Sequence, residues 1–348
     1  MKHETTDDRC PGVLRPFLAD DGAIVRLRRP GGRWPVSLLR QVHGLAAEYG
    51  SPVLQLTSRA NVQVRGLPDP LPAAFVEQID ALGLLPSTTH ERVRNIIAAP
   101  TPDLDRLVAD VDAALRDAPD LAALSGRFVF LLDDAAGHLL NAPFDLGYQL
   151  TSDGGRLWCA GQTRQCAPED AAGELVRLAS VFLATRPDRS VWNITPDADA
   201  VLDGFTATDA PTAGPLTPGP GPDGTVAAVP LGLLHGTHLD ALPGDADVVV
   251  TPWRSLVVRG SVDPDALAAA GLDTHPDSVW SRLTTCVGAP YCRRTDTPTI
   301  DLATKAAHGA DTSLERTHVV GCDRACGKPT EAHRLVVAPR GVEDILHR

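Results

Sequence analysis

Two eleven-residue segments far apart in the chain share one pattern, and such a repeat constrains the fold more than any single motif. The first segment reads LTSRANVQVRG (56–66) and the second reads VTPWRSLVVRG (250–260). Both have Thr at the second position, alternating apolar residues and a final Arg-Gly, and each follows a plausible strand–helix–strand unit. We therefore predict a duplicated module whose two copies occupy equivalent positions about a pseudo-twofold axis.

The remaining patterns predict an α+β fold with antiparallel strand pairing. Apolar residues recur at helical spacing in VSLLRQVHGLAAEYG, PDLDRLVADVDAALRD and PEDAAGELVRLASVFLATR. They alternate, as in strands, in AIVRLRR, GRFVFLLDD and GGRLWCAG. The stretch TDAPTAGPLTPGPGPDG (208–224) has no periodicity and predicts a linker, which divides the chain into a first half (1–207) and a second half (225–348).

Charge and cysteine usage limit the classes of function. The chain has 348 residues, a formal net charge of −12 and no basic run, which argues against nucleic acid as a partner. It has no run of eighteen apolar residues and no signal-peptide core at its start, so we expect a cytoplasmic protein without a membrane partner. Seven cysteines, an odd number, argue against a disulfide framework.

Four of the cysteines form a compact pattern near the end of the chain. Cys286 and Cys292 are spaced C-x5-C, and after twenty-nine intervening residues Cys322 and Cys326 are spaced C-x3-C. Converging thiolates bind zinc or an iron–sulfur cluster. Structural zinc favours tight C-x2-C turns, whereas the wider first loop favours a [4Fe–4S] cluster. Zinc and unligated structural thiols stay open as alternatives.

This cysteine pattern, after a duplicated T-x-R-x-N-x-Q-x-R-G element, resembles the sulfite and nitrite reductase superfamily. The stretches LTSRANVQVRGL, HERVRNIIAAP and LSGRFVFLLDD match the first half of those proteins in order. With CPGVLRPFLADDGAIVRLRRPGG near the start, the chain resembles the precorrin-3B synthases of that superfamily, over roughly residues 9 to 330. The resemblance implies two ferredoxin-like half-repeats, one in each half of the chain, and loops that hold a [4Fe–4S] centre.

The resemblance also implies arginines that bind an anionic tetrapyrrole. Matched position by position, Arg59 and Arg94 fall on anion-binding arginines, and Arg127 falls on the first of two basic residues. Asn61 and Arg65 are lesser candidate contacts. A planar guanidinium suits carboxylates, which are numerous on the rim of such a macrocycle. Surface ion pairing is the alternative for each arginine taken alone.

The implied function is an iron–sulfur monooxygenase that uses dioxygen to hydroxylate precorrin-3A and form a γ-lactone. Its electrons would come from an external donor, a ferredoxin or an NAD(P)H-dependent reductase. The resemblance implies a mononuclear non-haem iron in place of sirohaem, but no 2-His-1-carboxylate pattern is visible, so no catalytic residue is assigned. Two alternatives are a sirohaem-dependent sulfite or nitrite reductase, with Cys326 bridging cluster and haem, and a non-catalytic, metal-stabilised binding protein.

Two departures from the reductase pattern bear on this choice. Where sulfite reductases carry a second basic residue, two positions after Arg127, this chain has Val129. The loss of that charge argues against six-electron reduction of a small oxyanion. Twenty-two residues follow Cys326, so we expect the closing structure of the second half to be short.

Overall fold

The computed structural model describes residues 8–209, 213–310 and 314–347. The strands are β1 (Phe17–Ala19), β2 (Gly22–Leu27), β3 (Arg33–Pro35), β4 (Leu54–Leu56), β5 (Val62–Leu67), β6 (Ile96–Ala98), β7 (Phe130–Asp133), β8 (Leu146–Thr151), β9 (Gly154–Cys159), β10 (Gln162–Gln165), β11 (Thr206–Ala207), β12 (Gly219–Gly221), β13 (Gly224–Ala228), β14 (Leu233–Leu234), β15 (Asp247–Val250), β16 (Ser255–Val258), β17 (Leu283–Thr285), β18 (Thr317–Val320) and β19 (Arg334–Val337). The helices are α1 (Val36–Tyr49), α2 (Ala73–Ala81), α3 (Asp105–Arg116), α4 (Ala171–Thr185), α5 (Gly236–Asp240), α6 (Pro264–Ala269), α7 (Thr299–Gly309) and α8 (Glu343–Leu346).

The predicted helices form where apolar residues recur at helical spacing. In α1 the side chains of Val36, Leu39, Val42 and Ala46 are buried along one face, and Gly50 follows as the C-cap. Helices α3 and α4 cover the other two predicted stretches, and β2, β7 and β9 cover the three predicted strands. None of the helices in the described part of the chain has the length and apolar character that a membrane span requires.

The described residues form two compact units. The first unit takes in the described chain up to Phe17, Leu27–Gly32 and Ile79–Pro215. The second takes in Leu18–Arg26, Arg33–Gln78 and the chain from Leu216 onward.

These units divide the molecule in space and differ from the division of the chain into 1–207, 208–224 and 225–348. Both copies of the duplicated segment lie in the second unit, where each copy contributes one strand to the sheet of the other. Within the predicted linker, Gly219–Gly221 forms β12, while residues 210–212 lie outside the described residues.

The first unit is built on one six-stranded sheet with the order β11-β10-β9-β8-β7-β6. Strands β6, β7 and β8 run parallel, whereas β8 to β11 pair antiparallel. The expectation of antiparallel pairing is wrong for the parallel strands, because α3 lies in the connection between β6 and β7 and lets the chain return in the same direction. Phe128 packs against Phe130 and Phe182 at 5.2 and 5.5 Å between ring centroids, which joins α4 to the sheet.

The second unit contains the two copies of the module, each in a five-stranded sheet. The first sheet has the order β1-β2-β5-β4-β14 and the second has the order β12-β13-β16-β15-β3. In each sheet the strand at one edge comes from the other copy of the module. Strand β14 of the second copy pairs with β4, and β3 of the first copy pairs with β15. This reciprocal exchange is what a pseudo-twofold relation produces, and the predicted fold of duplicated half-repeats is confirmed.

The two repeated segments also form the same turn. The N–H of Thr57 donates to the carbonyl of Asn61 at 3.0 Å, and the N–H of Thr251 donates to that of Ser255 at 3.0 Å. Each threonine hydroxyl in turn accepts the N–H of the residue four positions later, at 3.1 and 3.3 Å. The two segments therefore share a hydrogen-bond pattern as well as a sequence pattern.

A third sheet of the second unit has the order β17-β18-β19 and is parallel throughout, a second exception to the expected antiparallel pairing. Helix α7 lies between β17 and β18 along the chain. Its Ala303 and Ala306 share one buried cluster with Leu283 of β17 and Val319 of β18. This packing fixes the strands that lead into the cysteine loops.

Candidate functional site

The four clustered cysteines lie in the loops that follow two neighbouring strands. Cys286 comes directly after β17, and Cys322 lies just beyond the end of β18. Because these strands are parallel, with Thr285 opposite Val319, both loops leave the sheet at the same edge. The N–H of Cys286 continues the pairing by donating to the carbonyl of Val319 at 3.0 Å. The topology therefore brings the C-x5-C and C-x3-C loops together.

The first loop is held by the start of α7. The hydroxyl of Thr299 donates to the carbonyl of Cys286 at 2.8 Å and lies 3.7 Å from its sulfur. Gly288 has a φ of +57°, and a Cβ at this position would lie 2.3 Å from the Thr299 hydroxyl. The loop therefore requires glycine there, both for its backbone conformation and for the close approach of α7.

The second loop is a series of tight turns that contacts the first. The N–H of Ala325 donates to the carbonyl of Cys322 at 3.2 Å, and the N–H of Lys328 donates to that of Ala325 at 3.2 Å. At the start of this loop, the N–H of Gly321 donates to the sulfur of Cys286 at 3.4 Å. Backbone N–H groups aimed at sulfur stabilise a thiolate and adjust the potential of any cluster that it binds.

The four thiols are close enough to interact electrostatically. Burial raises the pKa of the Cys326 thiol above its ordinary value, and Arg324 acts in the opposite direction. Negative charge on the other three cysteines raises this pKa further. All four are free thiols rather than disulfides. Four neighbouring thiolates repel one another, and bound iron would relieve that repulsion.

The donor set distinguishes a cluster from a single ion. Across residues 8–209, 213–310 and 314–347, no three His, Cys, Asp or Glu side chains lie close enough together to hold one metal ion. A cubane distributes its four thiolates over four iron atoms, whereas zinc draws all four ligands to one centre. Four cysteine thiolates are a ligand set that suits a [4Fe–4S] cluster, and the choice of a cluster over zinc stays a prediction. The described residues suggest no ligand set for a mononuclear iron.

Three of the predicted contact residues lie in or beside β5 of the second unit. Arg65 makes a two-point ion pair with Asp21, at 3.0 and 2.7 Å. Asn61 is 2% exposed and belongs to the turn with Thr57. Arg59 is half-buried, and its guanidinium has no hydrogen bond or ion pair with any residue that the structure describes. Of these three residues, Arg59 has a charge that is available to an external ligand.

A row of polar side chains crosses the same sheet. Arg26 of β2 donates to the side chain of Gln63 on β5 at 3.1 Å, and Gln63 donates to that of Gln55 on β4 at 2.9 Å. Gln63 is the Q of the T-x-R-x-N-x-Q-x-R-G element. The motif therefore contains a signal for this row of polar side chains.

The other two predicted contacts, Arg94 and Arg127, lie in the first unit. Arg94 is buried and makes a two-point ion pair with Asp112, at 2.6 and 3.0 Å. Arg127 is exposed, and its guanidinium lies over the ring of Trp192, 4.6 Å from the centroid. The charge of Arg94 is thus compensated internally, while that of Arg127 faces solvent. A substrate role for all five predicted residues stays a prediction.

Val129, the departure from the reductase pattern, is 3% exposed inside the first unit. Its N–H donates to the carboxylate of Asp145 at 2.8 Å. The same carboxylate accepts the N–H of Ile194 at 2.9 Å and the side-chain amide of Asn193 at 3.2 Å. This position therefore supplies an apolar side chain and no charge.

Sequence reasoning also missed two side chains that hold the second cysteine loop. Arg254 donates to the carbonyl of Gly327 at 2.6 Å, and His318 contacts the carbonyl of Cys326 at 3.2 Å. Arg254 takes the place that Ala60 occupies in the first copy of the repeat. That difference between two otherwise similar turns was the available signal.

Comparison with known proteins identifies the first copy of the repeat. Residues 18–81 match the family described as the nitrite/sulfite reductase ferredoxin-like half domain. A sulfite reductase [ferredoxin] of Synechococcus elongatus is 31% identical over 106 residues, which are 30% of this chain and 16% of that protein. The aligned region thus spans less than a fifth of the length of this relative.

The solved structure of the NirA protein of Mycobacterium tuberculosis resembles almost the whole chain. The match has a TM-score of 0.68 at 16% sequence identity, and it covers 88% of this chain and 69% of NirA. At that level of identity the likeness establishes a shared fold. The fold of this protein is therefore the fold of NirA, with two ferredoxin-like half-repeats in the second unit.

Proposed function

We propose that this protein is an iron–sulfur oxidoreductase that acts on a polycarboxylated tetrapyrrole. The observation that carries the proposal is the convergence of four cysteines at one edge of the β17-β18-β19 sheet, within a fold shared with NirA. A [4Fe–4S] cluster bound there would supply one-electron transfer. The similarity to a protein named sulfite reductase supports redox chemistry of this kind.

The arginines account for recognition of the substrate. Arg59 has a guanidinium without a described partner, and Arg127 presents one to solvent beside Trp192. Guanidinium groups bind carboxylates through two parallel hydrogen bonds. Arg65 and Arg94 are weaker candidates for substrate contact, because each is already paired with an aspartate.

Within this class we propose oxygen-dependent hydroxylation and lactone formation on precorrin-3A. One oxygen atom of dioxygen enters the product and the other leaves as water, which requires two protons from solvent and two electrons from an external donor, a ferredoxin or an NAD(P)H-dependent reductase. Val129 supports this choice, since a site for sulfite or nitrite needs dense positive charge and a buried valine supplies none. We place the reaction in the cytoplasm, where such donors are found.

The second candidate is a sirohaem-dependent sulfite or nitrite reductase. Both the ferredoxin-like half domain and the sulfite reductase similarity favour it. In addition, Cys326 is an exposed residue while the other three cysteines of the site are half-buried, which suits contact of its loop with a second group.

One preparation distinguishes these candidates. The protein is purified without oxygen, its visible spectrum is recorded, and iron, acid-labile sulfide and extractable haem are measured. We expect broad cluster absorption with about four iron and four sulfide per chain and no sirohaem. Sirohaem bands, with reduction of sulfite or nitrite by a viologen donor, would establish the second candidate. Absence of cluster and haem after anaerobic reconstitution would indicate a non-catalytic binding protein.

A further inference from the structure

Two side chains of the second unit hold consecutive carbonyl groups of the loop that contains Cys326. His318 lies 3.2 Å from the carbonyl of Cys326 through its Nε2, and Arg254 donates to the carbonyl of Gly327 at 2.6 Å. We call this arrangement of His318, Arg254 and the two carbonyls the carbonyl clamp. Both carbonyls lie on the C-terminal side of Cys326, which as a residue is exposed while the other three cysteines are half-buried.

The histidine is fixed by partners on both ring nitrogens. His318 lies on β18, is fully buried, and its Nδ1 is 2.9 Å from the hydroxyl of Thr284 on β17. A carbonyl can only accept, so Nε2 carries the proton and Nδ1 accepts from Thr284. The two strands that lead into the cysteine loops therefore also orient the ring that contacts the second loop.

The arginine reaches the loop from a strained turn. Arg254 has a φ of +59°, and Ala60, its counterpart in the first copy, has a φ of +54°. Since alanine occupies this position in the first copy, the conformation of the turn does not by itself require an arginine at position 254. The side chain of Arg254 lies against Gly232, where a Cβ would come within 2.7 Å of its Cδ. Gly327, which accepts from Arg254, also has a positive φ, +79°.

We propose that Arg254 and His318 are positioning residues for Cys326, acting through the carbonyl clamp. By fixing two successive peptide groups they hold the C-x3-C loop in its cluster-binding conformation before any cluster is present. Their relevance to catalysis rests on the proposed function, because it assumes that Cys326 is a cluster ligand. The conformational effect does not depend on that assumption and can be measured in the cluster-free protein.

The test is hydrogen–deuterium exchange of the full chain, freed of metal with a chelator under reducing, oxygen-free conditions. The peptide covering 321–330 is compared among wild type, Arg254→Ala, His318→Leu and His318→Gln. Loss of one clamp bond should speed exchange in this peptide about tenfold, as expected for a hydrogen bond to a buried or charged donor. His318→Gln should restore near-wild-type exchange, since its amide can donate to the carbonyl of Cys326.

Arg40→Ala is the matched control, because Arg40 also donates to backbone carbonyls, those of Leu239 and Leu242 at 2.9 and 2.8 Å. It should leave the 321–330 peptide unchanged. Wild-type exchange in both Arg254→Ala and His318→Leu would overturn the proposal. If Arg254→Ala also speeds exchange in peptides of the first unit, that variant has unfolded, and the comparison of His318→Leu with His318→Gln decides the outcome.

A second measurement separates the clamp from the proposed function. In reconstituted protein, the half-time of cluster loss to a chelator should shorten about tenfold in Arg254→Ala and His318→Leu relative to wild type. A wild type that binds no cluster would overturn the proposed function, while the exchange data would still decide whether the clamp orders the loop. Rapid exchange without faster cluster loss would show that the clamp does not position a ligand, and would overturn the proposal.

Discussion

Arginines that look equivalent in the sequence have different partners in the structure. Arg65 is paired with the half-buried Asp21 and Arg94 with the buried Asp112, so the charge of each arginine is already compensated inside the protein. Arg59 has no described side-chain partner, and Arg127 faces solvent beside Trp192. A compensated arginine contributes to stability, whereas an uncompensated one is available to an anionic ligand.

Replacing Arg59 by alanine should weaken tetrapyrrole binding without affecting the cluster. Loss of one charge-assisted contact, worth roughly 1.5–3 kcal/mol, corresponds to about a ten- to hundredfold higher Kd. Binding can be followed by titration with uroporphyrin, a stable polycarboxylated tetrapyrrole, while iron content is monitored. Arg106→Ala, whose side chain is 93% exposed in an ion pair on α3, is the control and should bind like wild type. Equal affinity in both variants would contradict a role for Arg59.

Replacing Arg94 by alanine should instead destabilise the protein. Asp112 pairs with both Arg94 and Arg116, but the Arg94 side chain is 7% exposed and that of Arg116 is 34% exposed. We expect a loss of about 3 kcal/mol in the free energy of unfolding for Arg94→Ala and less than about 1 kcal/mol for Arg116→Ala. Urea denaturation measures both. Similar losses would mean that burial of the first pair is energetically unimportant.

Asp133 should make stability depend on pH. Burial raises the pKa of this fully buried carboxyl from 3.8 to about 7, although the N–H of Leu139 opposes the shift. The folded state thus keeps a proton that the unfolded chain releases between these values, so stability should fall as pH rises from about 4 to about 7.

The Asp133→Asn variant tests this pH dependence by urea midpoints at about pH 5 and about pH 8. It should be less stable overall, since an amide nitrogen cannot accept one of the two N–H groups that Asp133 binds, but its midpoints should differ less than those of wild type. Asp110→Asn, at a side chain that is 55% exposed, should keep the wild-type difference. An unchanged difference in Asp133→Asn would assign the pH dependence to other groups.

At the scale of secondary-structure elements, the two module copies both require glycine at the start of their second strand, although their other side chains differ. Gly22 and Gly224 each begin the second strand of a copy, with φ of +122° and +136°. A Cβ at these positions would lie 2.7 Å from the carbonyl of Leu67 and 2.3 Å from that of Val258. Both carbonyls belong to the end of the adjacent strand, so the same close approach of strands occurs in both copies.

Alanine at these two glycines should destabilise the protein, while alanine at a third glycine should stabilise it. We expect Gly22→Ala and Gly224→Ala to lower the free energy of unfolding by about 1–3 kcal/mol, because of the collision and the backbone strain. Gly44 lies within α1 with no neighbouring atom within 4 Å of an added Cβ, so Gly44→Ala should raise it by about 0.5–1 kcal/mol. Urea unfolding curves decide the signs, and a destabilising Gly44→Ala would contradict the open environment.

At the scale of the whole molecule, the parallel β17-β18-β19 sheet brings two cysteine loops that are distant in the sequence to the same edge. Replacing Cys286, Cys292, Cys322 or Cys326 by serine should each abolish most of the bound iron and sulfide, because a serine hydroxyl is a poor ligand for a cluster. Reconstitution should raise the Tm of wild type, since a cluster binds the folded second unit and not the unfolded chain. Cys166→Ser, at a half-buried thiol outside the pattern, should keep full iron and the same Tm increase. Full iron in all four variants would remove the cluster assignment.

The sequence by itself determined the duplicated module, the three longest helices (α1, α3 and α4) and the cysteines that could act together. Local patterns carry this information, because helical spacing, strand alternation and cysteine spacing each act over a few residues. The repeat also predicted a relation between distant parts of the chain, since a second segment similar to LTSRANVQVRG implies a second copy of the turn that this segment forms.

Only the tertiary structure decided which strands run parallel, which strand of each module pairs in the sheet of the other module, and which arginines form ion pairs with aspartates. Arg65 and Asp21 are 44 residues apart in the chain, and their contact depends on the pairing of β2 with β5. Likewise, His318 and Arg254 meet the Cys326 loop only because strands from different parts of the chain lie side by side. Such long-range contacts follow from how the whole chain packs its core, and no local pattern records them.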